Sequence, residues 1–482
     1  MPQVEIGGND VRISDMGPDG NQSYGAYLPA AAYNPADNEY QVVWYGSDNT
    51  GGLQPGEFEI YGQRIDADTG AEVGVNDFRL SSMGPNGDAD FGARSPAVAY
   101  NSIDHEYLVV WAGNDVAKGL FEIHGQRIDA KTGAHVGDND FLISDMFVDG
   151  FSPAVVHNFI NNEYLVVWEG SDWLGSTLEP IFEIFGQRID GETGAALGTD
   201  DFVISDMGPD GDSSFRPFNP AVAYNSTDNE YLVVWYGSDN TGGLVPGELE
   251  IFGQRIDAAS GVELSPNDFR ISNMGPDGDT SFSAQDPAIA YNATDNEYLV
   301  VWDGDTDAGG MKDGDREIFG QRIDGATGAE TGASNFRISD MGPDGSAFFP
   351  AYEPAVAHSS TNNEYIVTWW GSDDIGPLAI GQKEIFGQRI DGATGVELGA
   401  NDVRLSDTGP EDSSFYGAWN PTVACKTADD VCLVAWSGND NIGILVTNEN
   451  EIFAQRVALA SMGLFIARES RDDERSGLAL QY

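Results

Sequence analysis

The sequence predicts an all-β protein, a seven-bladed β-propeller with four antiparallel strands in each blade. The first observation is a repeat: an apolar run that ends in Trp occurs seven times, and a Glu-Ile-x-Gly/Ala-Gln-Arg block follows each copy. Successive copies lie 67 residues apart, except that one spacing is 57. A near-identical unit repeated at a long period can bury its faces only against its neighbours. The seven Trp residues are Trp44, Trp111, Trp168, Trp235, Trp302, Trp369 and Trp436.

The second observation is the pattern inside one repeat, for which residues 220–272 serve as the example. Three apolar runs, Pro220–Asn225, Glu230–Tyr236 and Glu250–Asp257, are followed by a fourth at Asp268–Ser272. Turn-forming Gly, Asn, Asp and Pro separate the runs, and no helical period occurs between them. This pattern predicts an antiparallel meander of four strands. Four-stranded sheets repeated radially form a β-propeller.

The third observation is the phase of the repeat, which predicts how the ring closes. The chain begins with a fourth strand, Val11–Ser14, and its last repeat stops after a third strand, Glu451–Val457. We expect Val11–Ser14 to complete the seventh blade, because this pairing leaves no open strand edge. A linear solenoid would carry atypical capping repeats instead, and seven equal units argue against a two-sheet sandwich. The predicted organisation is an extension at 1–10, the propeller at 11–457 and a tail at 458–482.

The charge of the chain excludes some classes of partner. The protein has 79 acidic and 23 basic residues, which gives a formal net charge of −56. Nucleic-acid binding needs clustered cations, and anionic membrane surfaces repel such a protein. No segment is long and apolar enough to cross a membrane. Residues 2–10 are polar, so either an export signal has been removed or the protein is cytoplasmic; we expect an extracellular or cell-surface monomer.

The two cysteines lie in the seventh repeat and predict a cross-strand pair. Cys425 ends the first strand where other repeats carry Tyr or His, and Cys432 lies in the second strand where the others carry Tyr. The turn between them places these positions opposite each other, with Cβ atoms about 4.5–5.5 Å apart. Slight closure brings that distance within the range of a disulfide. A buried pair of free thiols is the alternative.

Acidic loops predict a candidate calcium site. In a four-strand meander, the connection from strand 2 to strand 3 and the connection from strand 4 to the next blade emerge on the same face. Both are rich in Asp here, and Ca²⁺ takes about six to eight oxygen ligands. The alternative is that the Gly-Pro-Asp-Gly segments are β-turns in which Asp caps the local backbone. The candidate ligands are Asp15, Asp19, Asp48, Asp206, Asp210, Asp212, Asp239, Asp340 and Asp344.

Two further groups of residues have predicted roles. The Arg of the Gln-Arg block occurs in all seven repeats, as at Arg255 beside Glu230, which favours a structural contact between blades over catalysis. Aromatic residues near the start of the first strand either stack on sugars at a binding mouth or cover the core. These aromatic residues are Tyr24, Tyr27, Phe215, Phe218, Phe348, Phe349, Tyr352, Phe415, Tyr416 and Trp419.

The sequence contains few signs of catalysis. The five His residues have no metal-ligand spacing, and no nucleophile elbow or phosphate loop occurs. Carboxylates are too abundant to single out a glycosidase pair. Only the shortened junction at 146–153 and the brief loop at 114–120 break the symmetry, and no repeat carries unique polar groups. Since enzymes on symmetric scaffolds usually break the symmetry at the site, this pattern favours a protein without catalytic activity.

The repeat, Glu-Tyr-Leu-Val-Val-Trp with Glu-Ile-Phe-Gly-Gln-Arg-Ile-Asp and Asn-Asp-Phe-Arg-Ile-Ser, resembles repeats in large uncharacterised bacterial secreted or surface proteins. The resemblance covers residues 11–457. It lacks the Asp-x-Asp-x-Asp-Gly loop of integrin-type propellers and the Ser-x-Asp-x-Gly-x-Thr-Trp box of sialidases. It therefore implies architecture and location, and no activity.

These observations lead to an expected function. We expect a non-catalytic extracellular propeller that serves as a scaffold or binding module for a glycan or protein ligand, stabilised by Ca²⁺ if the acidic loops hold the ion. The alternatives are a Ca²⁺-dependent carbohydrate-binding protein and a polysaccharide-cleaving enzyme.

Overall fold

The predicted seven-bladed β-propeller is confirmed. A computed structural model describes residues 4–115, 119–145, 149–172, 181–209, 212–373, 381–410, 413–427, 429–440 and 445–459. In these residues, 28 strands form seven sheets, each with four antiparallel strands. No helix in this part of the chain is long and apolar enough to cross a membrane.

Each blade takes its four strands in chain order from the centre of the ring outwards, and only the seventh combines both ends of the chain. Blade 1 contains β2 (Gly25–Asn34), β3 (Glu39–Ser47), β4 (Glu59–Asp66) and β5 (Glu72–Arg79). Blade 2 contains β6 (Gly92–Asn101), β7 (Glu106–Asn114), β8 (Glu122–Asp129) and β9 (His135–Leu142). Blade 3 contains β10 (Gly150–Asn158), β11 (Glu163–Asp172), β12 (Ile181–Asp190) and β13 (Ala196–Val203). Blade 4 contains β14 (Pro217–Asn225), β15 (Glu230–Gly237), β16 (Glu250–Asp257) and β17 (Glu263–Arg270). Blade 5 contains β18 (Ala284–Asn292), β19 (Glu297–Gly304), β20 (Glu317–Asp324) and β21 (Glu330–Arg337). Blade 6 contains β22 (Ala351–Ser359), β23 (Glu364–Gly371), β24 (Glu384–Asp391) and β25 (Glu397–Arg404). Blade 7 contains β26 (Gly417–Cys425), β27 (Val431–Asn439), β28 (Glu451–Ala458) and β1 (Val4–Arg12).

The hydrophobic core lies between neighbouring blades. All seven repeat Trp side chains have no exposed surface. One apolar cluster joins Leu165 and Val167 of blade 3 to Val233 and Trp235 of blade 4, and the other clusters follow the same rule. A blade therefore completes its core only when its neighbour is in place.

The Arg of the Gln-Arg block connects blades, as predicted. In blade 4, Arg255 Nη2 lies 2.6 Å from Glu230 of its own blade. The same nitrogen donates a hydrogen bond of 2.6 Å to the carbonyl oxygen of Ala326 in blade 5. Arg322 makes the equivalent bond, also of 2.6 Å, to Ala393 in blade 6. The guanidinium is buried and paired, and its role is structural.

The fourth strands begin earlier than the sequence pattern predicts. In blade 4 the prediction placed this strand at Asp268–Ser272, whereas β17 spans Glu263–Arg270. Its ladder with β16 shifts register between Leu264 and Phe269, which pair with Arg255 and Gly253. The inserted residues form a bulge in an exposed outer strand, so they carry none of the apolar alternation by which a strand is recognised.

The chain ends close the ring in blade 7. Val11 and Arg12 pair with Ala454 and Phe453, and a second segment pairs Val4–Ile6 with Arg456–Ala458. In the same blade, Cys425 and Cys432 face each other across the β26–β27 hairpin, with Cα atoms 4.0 Å apart, and form a disulfide. The closing strand is therefore longer than the predicted Val11–Ser14.

One side chain on each outer bulge, an Asp in six blades and an Asn in blade 5, links that blade to the preceding one. In blade 4, Asp268 has a positive φ of 42° and its Oδ2 accepts a hydrogen bond of 2.7 Å from the backbone N–H of Asp206. Blade 5 has Asn335 at this position, and its Nδ2 donates to the carbonyl oxygen of Asn273 at 2.9 Å. Within the described residues, the buried Oδ1 of Asp268 has no partner. Burial raises the pKa of Asp268 to about 7, against the hydrogen bond from Asp206.

Deleting residues 1–14 should lower the Tm and promote association, because it removes β1 and exposes the edge of β28. Thermal unfolding and size-exclusion chromatography measure both effects. A synthetic peptide with the sequence of residues 1–14 should restore part of the Tm, whereas a peptide of scrambled sequence should not. An unchanged Tm together with an unchanged monomeric state would show that β1 is dispensable for closure.

Asp268→Asn should stabilise the protein above pH 8 by about 1–3 kcal/mol, the usual cost of a buried acceptor without a partner. The folded state keeps the Asp268 proton up to pH about 7, whereas the unfolded chain loses it near pH 4. The wild-type protein therefore loses this contribution as the pH rises from about 4 to 7, and the gain in the variant should shrink towards pH 4. Urea unfolding at several pH values measures it. The matched variant Asn335→Asp should show the opposite sign, and equal stability of both variants at pH 8 would contradict the interpretation.

Candidate active site at the centre of the ring

The seven innermost strands surround a cavity of about 340 Å³, the lower end of the usual range for ligand pockets. Each strand has a bulge at a proline, as where the register of β22 and β23 shifts between Tyr352 and Ala355. The residue before each proline has a positive φ between 44° and 52°. A bulge redirects a side chain, and here it turns one residue per blade towards the cavity.

The residues before the prolines differ from blade to blade, although the rest of the repeat is nearly identical. From blade 1 to blade 7 they are Leu28, Ser95, Ser152, Asn219, Asp286, Glu353 and Asn420. The residue that follows the repeat Trp diverges in the same way. From blade 1 to blade 7 these are Tyr45, Ala112, Glu169, Tyr236, Asp303, Trp370 and Ser437. The expectation that no repeat carries unique polar groups is therefore wrong: the divergence is concentrated at the centre of the ring.

Two carboxyl groups from neighbouring blades face this cavity, and uncharged donors hold both. Asp286 Oδ1 accepts a hydrogen bond of 2.7 Å from Asn219 Nδ2. Glu353 Oε2 accepts one of 2.8 Å from Trp370 Nε1 and another from Asn420 Nδ2. Neutral donors fix the orientation of each carboxyl group and leave it without a directly bound cation.

The buried carboxylate of Asp303, paired with Arg316, supports the Glu353 bulge from behind. Asp303 has no exposed surface, and its Oδ1 accepts a hydrogen bond of 3.2 Å from the backbone N–H of Glu353. Its Oδ2 accepts from Arg316 Nε at 2.8 Å. Burial raises the pKa of Asp303 to about 7 even with Arg316 alongside. In blade 3, Glu169 likewise accepts from the backbone N–H of Asn219 at 2.8 Å.

The two central carboxyl groups have raised pKa values for partly different reasons. Burial raises the pKa of Glu353, and the nearby charge of Asp286 raises it further, against the hydrogen bonds from Trp370 and Asn420. Burial also raises the pKa of Asp286, but the bond from Asn219 and the charge of Arg316 oppose that rise. A cation opposes the rise in both cases, Lys383 at Glu353 and Arg316 at Asp286, and of the two carboxyl groups it is Glu353 whose pKa is raised by the charge of the other.

Aromatic rings surround the entrance to the cavity, where the first strands begin and the second strands end. Tyr352 and Trp370 lie 4.7 Å apart between ring centroids. Phe218 and Tyr236 stack at 5.2 Å in blade 4, and a similar pair lies in blade 1. Aromatic faces of this kind provide flat apolar platforms with polar groups close by.

The aromatic residues predicted near the first strands thus separate into two groups. Tyr27, Phe218, Tyr352 and Trp419 lie on the first strands near the entrance. A second group packs against glycines of the connections between blades; these residues are Tyr24, Phe215, Phe349 and Tyr416. Phe348 and Phe415 are exposed to 70% and 73%. The second group therefore covers the core, as one of the two alternatives predicted, and stacking on a sugar stays a prediction.

The carboxylates predicted to bind Ca²⁺ mainly accept hydrogen bonds from nearby backbone N–H groups or pair with arginines. Asp48 Oδ1 accepts a hydrogen bond of 3.1 Å from the backbone N–H of Gly17, and Asp239 accepts one of 3.1 Å from Gly208. Asp212 accepts from the backbone of Ser214. The ion pairs are those of Asp15 and Asp19 with Arg12, and of Asp340 and Asp344 with Arg337.

The calcium prediction stays a prediction. Asp206 contributes its backbone N–H to Asp268, and Asp210 lies outside the described residues. Among the residues that the structure describes, no group of three or more His, Cys, Asp or Glu side chains is placed to hold a metal ion.

Sequence reasoning missed Asp286 and Glu353 because they are two of 79 acidic residues. A signal was present, however. When the seven repeats are aligned on their Trp residues, the residue before the proline varies in polarity and charge, as does the residue before it, whereas the proline itself is constant. In a symmetric ring, positions at the same distance from the central axis lie next to each other, so variable positions on the innermost strands together line the central cavity.

The comparisons with known proteins concern the fold. No protein-family model matches the chain, and no curated protein matches it. Among solved structures, it is similar to the family-93 α-L-arabinofuranosidase of Fusarium graminearum with arabinobiose, at 13% identity over 95% of this chain and 98% of that chain, with a TM-score of 0.44. It is similar to an α-L-arabinanase of Penicillium chrysogenum with arabinobiose, at 10% identity over 95% and 98%, with a TM-score of 0.40. It is also similar to the NanB sialidase of Streptococcus pneumoniae, at 8% identity over 94% and 71%, with a TM-score of 0.44.

The expectation of a non-catalytic scaffold, and with it that the chain is not an enzyme, is wrong against these comparisons. All three solved structures are named as enzymes that act on glycosides. At these identities the likeness shows the fold alone, so a reaction has to be argued from the site. The physical reason for the error is the premise of symmetry, which fails at Asp286 and Glu353.

Calcium at about 1 mM should raise the Tm, and EDTA should reverse the rise, if the loops of Asp206 and Asp239 bind the ion. Sodium chloride near 1 M should also stabilise the protein, because it screens repulsion among the acidic loops. Scanning calorimetry separates the two effects by dose. Asp206→Asn combined with Asp239→Asn should abolish the response to calcium and keep the response to salt. A Tm that ignores both about 1 mM calcium and EDTA would end the calcium prediction.

Proposed function

We propose that this protein hydrolyses glycosidic bonds of a polysaccharide at the central cavity, with Asp286 and Glu353 as its catalytic carboxyl groups. The observation that carries the proposal is the pair itself: two carboxyl groups from adjacent blades with raised pKa values face one cavity and are held by uncharged donors. Glycoside hydrolysis uses two carboxyl groups, one as an acid and one as a base or nucleophile.

The electrostatics of the pair assign the two roles. Glu353 is the general acid, because burial and the charge of Asp286 favour its protonated form. Asp286 is the base or nucleophile, because Asn219 and the charge of Arg316 favour its ionised form. Two titratable groups whose environments separate their pKa values are the usual arrangement for acid and base in one site.

The reaction follows from these roles. Glu353 donates its proton to the glycosidic oxygen as the C–O bond breaks, and the released sugar leaves with a hydroxyl group. A water molecule supplies the oxygen at the anomeric carbon and loses a proton to a carboxylate, so that one water is consumed for each bond. The aromatic pair of Tyr352 and Trp370 at the entrance suits stacking against a sugar ring.

The cellular location is also a proposal. A disulfide between Cys425 and Cys432 is typical of proteins that work in oxidising compartments. An acidic surface with a net charge of −56 favours solubility and opposes association between copies of the protein. Both features support activity outside the cytoplasm, where polysaccharides are available.

Glu353→Gln should lower kcat on a cleaved polysaccharide by about 10²–10⁴-fold, the usual contribution of a general acid. Release of reducing ends from arabinan, galactan and polygalacturonate measures the activity, and thermal unfolding checks that the variant is folded. Asp286→Asn should lower kcat to a similar extent. The matched control is Glu330→Gln on the exposed outer strand of blade 5, which should leave the rate unchanged.

The pH profile provides a further check on the assignment. Because the charge of Asp286 raises the pKa of Glu353, removing that charge in Asp286→Asn should move the alkaline limb of the residual activity to lower pH. An active wild-type protein whose rate survives both substitutions would place the chemistry elsewhere.

A further inference from the structure

The cations of this protein are distributed in a way that its symmetry does not explain. Most Arg residues of the repeat pair with a carboxylate, as Arg255 does with Glu230 and Arg270 with Glu250. Four cations outside the common repeat pattern contact aromatic rings, and two of them, Arg316 and Lys383, occupy the same repeat position in blades 5 and 6. The four cations are Arg94, Arg216, Arg316 and Lys383.

Three of these cations make no ion pair within the described residues: Arg94 in blade 2, and Arg216 and Lys383 in blades 4 and 6, on either side of blade 5. The guanidinium carbon of Arg216 lies 4.1 Å from the ring centroid of Phe182 and 4.7 Å from that of Phe218. Lys383 Nζ lies 4.9 Å from the centroid of Trp370 and 5.6 Å from that of Trp419. In a chain with 79 acidic and 23 basic residues, a cation beside aromatic rings without a carboxylate partner is unusual.

The aromatic contacts hold the charges in place and leave their donors available. The Nε of Arg216 is buried and has no acceptor within the described residues. Arg316 lies in the blade between these two cations, and its Nη1 donates to Ser283 at 3.0 Å. Its charge is paired with Asp303, so Arg216 and Lys383 are the cations near the proposed catalytic pair that have no ion-pair partner among the described residues.

These cations lie on the side of the entrance that carries the proposed catalytic pair. The charge of Lys383 lowers the pKa of Glu353, and the charge of Arg216 lowers that of Glu169 in blade 3, although burial raises both. Blades 4, 5 and 6 therefore present Arg216, Arg316 and Lys383 around a group bound next to Asp286 and Glu353.

We propose that the site takes an anionic saccharide, a sugar with a carboxylate or sulfate group that Arg216 and Lys383 bind at the entrance. A guanidinium matches the two oxygens of a carboxylate or sulfate group, and an ammonium serves as a point charge. The aromatic rings beside them contact the face of the sugar. This inference rests on the proposed glycosidase function and names its substrate class.

The overall charge of −56 does not prevent such binding. At about 0.15 M salt, charges farther apart than about 8 Å are largely screened in solvent, whereas partly buried contacts are screened much less. The acidic loops therefore act weakly on a ligand at the entrance, and the nearby cations dominate there.

Calorimetric titration of the full chain carrying Glu353→Gln tests the proposal without cleavage of the probe. The probes are tetragalacturonic acid, its uncharged methyl ester, and a sulfated galactose tetrasaccharide with its desulfated form, all at about 0.15 M salt. At least one anionic probe should bind about tenfold or more tightly than its uncharged partner. Adding Arg216→Gln or Lys383→Gln should remove that preference and change the affinity for the uncharged form less than twofold.

The control variant is Lys131→Gln, which removes one charge from an exposed turn between the third and fourth strands of blade 2, and it should keep the preference. A preference for the carboxylate pair assigns a uronic acid, and one for the sulfate pair assigns a sulfated sugar. Equal affinity for charged and uncharged probes, or no binding of any of the four, would overturn the proposal. If a neutral polysaccharide is cleaved and Glu353→Gln abolishes that cleavage, the glycosidase function stands and only the substrate class fails.

Discussion

The burial of the repeat Trp between two neighbouring blades is the constraint on which the rest of this structure depends. Each Trp is fully buried, and each apolar cluster takes residues from two blades, so no blade is stable without the next one. A ring satisfies this requirement for every blade only if it closes, and the pairing of β1 with β28 closes it. Because each blade must fit a copy of itself on both faces, the residues of those faces vary little. The buried Arg255, which pairs with Glu230 and reaches Ala326 of the next blade, is the polar counterpart of the same rule.

Residues at the centre of the ring are not restricted by the fit between neighbouring blades. The bulge before each proline turns one residue out of the apolar interface between blades and into the cavity, so its identity does not change the hydrophobic packing of the blades. Some of these residues bond to each other across blades, as Asn219 does to Asp286. A positive φ at a residue such as Glu353 costs about 1–3 kcal/mol, and the bond from its backbone N–H to the buried Asp303 offsets part of that cost. Seven near-identical units can therefore carry five different residue types at this one position. A single asymmetric site arises from a symmetric scaffold without loss of fit.

The sequence predicts the fold well and the site poorly, for physical reasons that particular residues illustrate. Strands around Trp235 are easy to find because they are apolar and repeated, and the incomplete last repeat indicates the closure. The outer strand at Glu263–Arg270 begins in an exposed bulge, where no apolar alternation marks it. Asp286 and Glu353 lie 67 residues apart, and only the curvature of the ring brings them to one cavity. Alignment of the repeats identifies them as variable positions, but their raised pKa values come from burial that the sequence does not display.

The distribution of charge connects the scaffold with the site. Formal counting gives −56, yet burial raises the pKa of Asp77 and Asp268 to about 7, and that of Asp10 and Asp402 to about 8. These bulge carboxyls are partly protonated near neutral pH, so the ring carries less negative charge than its composition indicates. Repulsion between blades falls accordingly, because a neutral carboxyl group can donate a hydrogen bond as Asn335 does. Most Arg residues of the repeat pair with carboxylates, and those of the Gln-Arg block also bond to the next blade. Arg216 and Lys383 lie outside the repeat pattern, beside the variable centre of the ring, and have no ion-pair partner among the described residues.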